Sequence, residues 1–188
     1  NIGPDAKIQT AGLIASNLNI SNANFLSGEF TFTNLETKTG KSVINQGAIK
    51  SGNAALIGSA VQNSGTIETT LGSVVLAAGE ELTLNLDTAG MLSVVIAKPV
   101  KQAVLGQDSA VKNSGTITAS GGKVVLAASV VNDVFDYAVN NSGVIQANSL
   151  INHNGEIELT GTGAPVINSG SLIASIINIR AFGTDFIN

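Results

Sequence analysis

The side chains that could do chemistry are few and scattered. His153 is the only histidine among 188 residues, and cysteine is absent. A histidine metal cluster, a proton-relay pair, a thiolate site and a disulfide are thereby excluded. The nearest approach to a carboxylate pair is Asp133-Val134-Phe135-Asp136. Cleavage of an acidic polysaccharide would need such carboxylates with a lysine or arginine on the same groove. Arg180 is the only arginine, and no lysine or arginine lies between Lys123 and it. Asp133 and Asp136 are therefore expected in a solvated turn or as helix caps. His153 is expected as an exposed turn residue, Glu80-Glu81 as the charged start of a hairpin, and Glu156 and Glu158 on the outer face of an alternating strand. The calcium-binding nonapeptide GGxGxDxUx does not occur, and no Gly-rich loop is followed by the lysine and helix that cradle phosphate. No catalytic, metal-binding or cofactor-binding residues are assigned, and no cofactor is expected.

The bulk of the chain points to structure. Hydrophobic residues make up 44%, charged residues 12% and aromatics 4%, with a net charge of −4. Stability must come from stacked aliphatic side chains and backbone hydrogen bonds. No basic run exists to bind nucleic acid, and no apolar stretch reaches the ~18 residues of a membrane span. The length fits one domain, residues 1–188. The chain starts at Asn1 without a signal-like segment and reads as a fragment or processed form.

Residues 63–78, NSGTIETTLGSVVLAA, are nearly repeated at 113–128 as NSGTITASGGKVVLAA. The shorter phrase Asn-x-Gly-x-aliphatic recurs at Asn45/Gly47, Asn63/Gly65, Asn113/Gly115, Asn141/Gly143 and Asn168/Gly170, with starts 18, 50, 28 and 27 residues apart. His153-Asn154-Gly155-Glu156-Ile157 is a degenerate copy. Repeats of ~20–30 residues indicate a solenoid. Short Val, Ile, Leu and Ala runs joined by Asn and Gly, without capped helical periods, make it a parallel β coil. Equivalent residues then stack ~4.8 Å apart. Glycine is expected at the bends for its access to positive φ and Asn for local bonding, with Asn side chains forming an amide ladder along the stack. Ile67, Val75, Ile117 and Val125, or their immediate neighbours, fill the lumen; VVLAA is apolar on both faces, so its inward parity stays open.

The 50-residue interval from Asn63 to Asn113 is too long for one coil. Residues 81–96 read as two alternating strands around Asp87-Thr88-Ala89-Gly90, an extrahelical hairpin. Phe25 to Phe32 holds three of the six phenylalanines, which are expected to cover the side or end of the coil. Val130–Val139 is the least strand-like segment and is expected to hold a short helical turn. Residues 151–188 add further coils.

Gly12-Leu13-Ile14-Ala15-Ser16-Asn17-Leu18-Asn19-Ile20, Ser21 to Phe32, Ser42-Val43-Ile44-Asn45-Gln46-Gly47, Gly72 to Gly79 with Leu82-Thr83-Leu84, and Val139 to Ile145 together resemble a known family. It is the N-terminal secretion domain of filamentous-haemagglutinin-type exoproteins, the substrates of two-partner secretion in Gram-negative bacteria. The resemblance covers residues 1–150. It implies an all-β fold, a right-handed parallel β-helix with extrahelical β elements, exported through the periplasm to the cell surface or medium. It also implies an outer-membrane transporter whose periplasmic domains recognise the N-terminal region, here Asn1 to Phe32, and a host or bacterial cell-surface receptor as a further partner. The family's Asn-Pro-Asn-Leu motif is absent, and Asn-Pro-Asn-Gly survives at most as Asn1-Ile2-Gly3-Pro4-Asp5-Ala6, so the expectation is that the chain begins partway through such a domain or that residues are missing between Asn1 and Gly3. The expected function is non-catalytic: a secretion and folding-template module of a large adhesin. The alternatives are a polysaccharide-active β-helix enzyme and an internal adhesive repeat block.

Overall fold

The computed structural model describes residues 1–35, 41–151 and 153–188. The chain opens with strand β1 (Lys7–Ser16), helix α1 (Asn22–Ser27) and β2 (Phe30–Thr33). Then come β3 (Ser42–Asn45), β4 (Ala48–Gly58), β5 (Ala60–Asn63), β6 (Thr66–Thr70) and β7 (Ser73–Ala78). After β8 (Glu81–Leu86) and β9 (Leu92–Lys98) the coil resumes with β10 (Ser109–Asn113), β11 (Thr116–Ser120), β12 (Lys123–Ser129), β13 (Tyr137–Asn141) and β14 (Val144–Ala147). It ends with β15 (Glu156–Thr162), β16 (Val166–Asn168), β17 (Ser171–Ala174), β18 (Ile176–Phe182) and β19 (Phe186–Ile187).

Successive coils pair in parallel, giving a β-helix. One wall is the sheet β19-β16-β13-β10-β5-β3. The other two walls are continuous through the long strands β1 and β4, which run along both: β6, β11, β14 and β17 stack on the first half of β4, and β7, β12, β15 and β18 on its second half. Register is kept without slippage. Ile8, Ile49, Ile67, Ile117, Ile145 and Leu172 form one column, and Ala15, Leu56, Leu76, Leu126, Leu159 and Ile179 another. Leu56, Leu76, Leu126 and Leu159 are all fully buried. Each such side chain is stabilised by about 1.5–3 kcal/mol on leaving water.

The lumen takes Val74, Leu76, Val124 and Leu126, together with Ile67 and Ile117. Val75 and Val125, proposed above beside Ile67 and Ile117, instead point outward into a second apolar cluster. They are buried there because β8 and β9 lie across the outside of β7 and β12. The hairpin pairs antiparallel from Glu81/Lys98 to Leu86/Leu92, with a bulge at Glu81/Leu82. It gains a third strand, since β2 pairs antiparallel with β8 through Phe30↔Leu84 and Phe32↔Leu82. Leu82, Leu84 and Phe32 are buried against Ala55, Val75 and Val125. A run that is apolar on both faces is thus the mark of a strand covered on both faces.

Two local expectations are corrected. Val130–Val139 holds no helical turn; Asn132 and Asp133 form a turn with Asp133 at φ 64°, and Tyr137 already begins β13. The one helix described lies at Asn22–Ser27, where Ser21 Oγ accepts from the Asn24 N–H and Gly28 closes the C-terminus at φ 76°. Of its apolar residues, Phe25 and Leu26 are exposed; Phe30 and Phe32 beyond it do the covering.

Candidate functional site

The repeated Asn-x-Gly phrase is folded into one corner of the coil. Asn45, Asn63, Asn113, Asn141 and Asn168 pair in parallel register. Each Nδ2 donates to the Oδ1 of the next Asn at 2.8 Å, and Asn168 donates in the same way to Asn188, a sixth member. Each Nδ2 also reaches the carbonyl two residues on, as from Asn63 to Gly65 at 3.4 Å. The first four amides are fully buried. Buried amides are tolerated because each is matched along the row. The backbone repeats the logic: the carbonyl of Asn63 accepts the N–H of Ser114 at 2.8 Å and of Gly115 at 3.1 Å, and the same pattern holds at Asn45, Asn113 and Asn141.

The glycines at this corner act through closeness rather than through positive φ. Gly47, Gly65, Gly115, Gly143 and Gly170 are not among the glycines of positive φ. A Cβ on Gly65 would lie 2.1 Å from the Gly47 carbonyl oxygen, and one on Gly115, Gly143 or Gly170 would meet the preceding glycine's carbonyl at the same 2.1 Å. Backbone stacks directly on backbone there, leaving no volume for a side chain. His153-Asn154-Gly155 does not join this corner. Its Glu156 pairs with Lys123, and the Gly155 carbonyl accepts from Ile176, as Gly72 does from Lys123 and Gly122 from Glu156, marking a second glycine corner. His153 is exposed in a turn bridged to Leu150.

The charged groups singled out in the sequence are dispersed. Asp133 and Asp136 are exposed and line a shallow depression with Asn132, Phe135 and Gly163. Arg180 is elsewhere, paired with Glu158 at 2.6 Å. Glu80 accepts from the Lys101 N–H at 3.1 Å, and Glu81 pairs with Lys98 at 2.8 Å where the hairpin leaves the coil. On the outer face of β15, Lys123 bridges Glu158 at 2.9 Å and Glu156 at 3.4 Å, while Asn178 donates to Glu156 at 3.0 Å. Burial opposes ionisation of Glu158, yet the hydrogen bond and charge of Lys123, then the charge of Arg180, outweigh it and hold the carboxyl below its ordinary range. Burial likewise opposes the Lys123 charge, and Glu158 with Glu156 outweighs it, raising the ammonium above its ordinary value. No group of three or more metal-binding side chains forms among the described residues.

What the sequence did not single out is Asn188, strand β2 and the Lys123–Glu158–Arg180 network. The ladder's other signal was the apolar-Ile-Asn ending shared by Val43-Ile44-Asn45, Val166-Ile167-Asn168 and Phe186-Ile187-Asn188. The amino-terminal region proposed for recognition is built from Ile2, which bridges to Asn45, from β1 lying along β4, and from α1 and β2 leading onto the outer sheet.

No protein-family model matches the chain, and no curated protein is significantly similar to it in sequence. Among solved structures it is similar to the crystal structure of the HMW1 secretion domain from Haemophilus influenzae, with a TM-score of 0.68 and 27% identity. The likeness covers 99% of this chain but 53% of that one, so the chain spans about half the length of the structure it matches.

Proposed function

We propose that this chain is a secretion domain of a two-partner system: it guides a large bacterial surface adhesin through an outer-membrane transporter and then serves as a folding template outside. The observation that carries the reading is the likeness to the HMW1 secretion domain over 99% of the chain, coil and outer sheet included. The architecture supplies a physical basis. Coils of a parallel solenoid contact only their neighbours, so each can fold onto the one before it as it emerges from a pore, without an external energy source. The columns through Leu126 and through Asn113 give every arriving coil the same apolar and amide contacts to complete. On this reading the domain is non-catalytic, and its first partner is the periplasmic recognition region of the transporter, met by Asn1 to Phe32.

The test places the chain behind a signal peptide in a Gram-negative host, with and without a co-expressed two-partner transporter. Folded, protease-resistant chain in the medium only when the transporter is present supports the reading; retention in the periplasm with every such transporter tried, alongside release of a known substrate, refutes it. Isolated periplasmic domains of the transporter should bind the full chain and lose binding when Asn1 to Phe32 is replaced by an unrelated segment.

A further inference from the structure

The asparagines of this chain stand in two unlike settings. Those of the ladder are held: each amide donates to the next one and to a carbonyl two residues on, and the residue that follows is Gln46 or a serine. Asn154 differs in each respect. It is exposed in the segment between β14 and β15, its side chain makes no hydrogen bond among the described residues, and it precedes Gly155 in the only Asn-Gly dipeptide of the sequence. The Gly155 N–H also makes no hydrogen bond among the described residues, although the Gly155 carbonyl accepts from Ile176 at 3.2 Å and the Glu156 N–H donates to Gly122 at 3.1 Å. A nucleophilic nitrogen and an electrophilic carbon thus lie on adjacent residues, both unengaged, and glycine sets no Cβ between them.

We propose that Asn154-Gly155 is a self-modification site, where the chain converts its own asparagine into aspartate and isoaspartate through a cyclic imide, with water as the only co-reactant. The Gly155 nitrogen attacks Cγ of Asn154. The new C–N bond closes a succinimide ring, the Cγ–Nδ2 bond breaks, and the proton lost from Gly155 leaves with Nδ2 as ammonia. Water then opens the ring at either carbonyl. One opening restores the main chain and leaves a carboxylate on residue 154; the other routes the main chain through the side-chain carbonyl and lengthens it by one carbon. The longer product meets a corner without slack. A Cβ on Gly155 would lie 1.7 Å from the Ala147 carbonyl oxygen, so Gly155 has no room to absorb the added atom. The Glu156 N–H is then drawn off the Gly122 carbonyl, which loosens the start of β15 where Glu156 pairs with Lys123.

The experiment incubates the full chain at mildly alkaline pH in heavy-oxygen water and follows each asparagine by peptide mass spectrometry. Residue 154 should change from amide to acid with uptake of heavy oxygen, about tenfold or more faster than Asn63 or Asn113. Asn154→Gln, a change at an exposed side chain, should remove the fast conversion, because glutamine closes a larger ring more slowly. The isoaspartyl fraction, separated by chromatography, should show hydrogen exchange at the Glu156 amide raised about tenfold. The proposal is overturned by conversion at residue 154 no faster than in the ladder, by conversion without heavy-oxygen uptake, or by an isoaspartyl fraction whose Glu156 amide exchanges as slowly as in the fresh chain.

Discussion

The outer faces of β12 and β15 grow from neighbouring coils with matched lumen columns, Leu126 over Leu159 and Val124 over Ile157, yet their outward residues differ. Val125 and Ala127 on β12 lie under the β2–β8–β9 sheet, whereas the aligned Glu158 and Thr160 on β15 meet solvent and the charges of Lys123 and Arg180. The lumen face of a coil reports the solenoid, and the outward face reports what covers it. Where the outward column changes from valine to glutamate, the covering sheet ends.

The sharpest way to break this contrast is to put a carboxylate on each face. Val125→Asp should cost roughly 3–5 kcal/mol, since the charge is buried without a partner, while Thr162→Asp on the uncovered face should stay within about 0.5 kcal/mol; urea unfolding of both checks it. Phe32→Ala should cost about 3–5 kcal/mol and loosen the packing of the outer sheet on the coil, read as increased binding of a hydrophobic dye. Within the Asn corner, Asn113→Ala removes two links and leaves the Asn63 Nδ2 and the Asn141 Oδ1 each one partner short in a buried site, which should cost about 2–3 kcal/mol. Asn188→Ala, at the partly buried last link, should cost under about 1 kcal/mol; calorimetry distinguishes the two.

The smallest effect is the pH dependence of the uncovered face. The Glu158 carboxyl is held below its ordinary range, so its contribution is present above the unfolded value and is lost as pH falls through the lower folded value. The Lys123 ammonium is raised, so its contribution is complete below the unfolded value and is lost as pH rises through the folded one. Both groups are substantially solvated, which limits each effect to under about 1 kcal/mol. Glu158→Gln should flatten the acid limb of a melting-temperature profile and leave the covered face unaffected.

The coil was legible because stacking demands the same residue at the same place. Asn63, Asn113 and Asn141 are alike in sequence since each must hand a hydrogen to the next, and the glycines that follow are alike since backbone stacks on backbone. The inward parity of VVLAA was not legible, because the sheet over Val75 and Val125 makes both faces apolar and erases the alternation that would separate them. The hairpin announced itself through the turn at Asp87–Gly90, but the pairing of β2 with β8 joins residues some fifty positions apart, about which local pattern is silent. Helix α1 was written in Ser21 and Gly28, a cap at each end, but its phenylalanine and leucine drew attention to covering rather than to capping. Asn154-Gly155 imitated the ladder phrase but stacks at the corner of Gly72 and Gly122, where Glu156 pairs with Lys123 and its N–H donates to the Gly122 carbonyl.

The amide row has a further property. From Asn45 to Asn188 every link runs the same way, nitrogen forward and oxygen back, so the small side-chain dipoles add head to tail as peptide dipoles do in a helix. Turning one amide over would set nitrogen against nitrogen on one side and oxygen against oxygen on the other. The row therefore keeps or loses its sense as a unit, and it gives the rod a vector running from Asn45 toward Asn188.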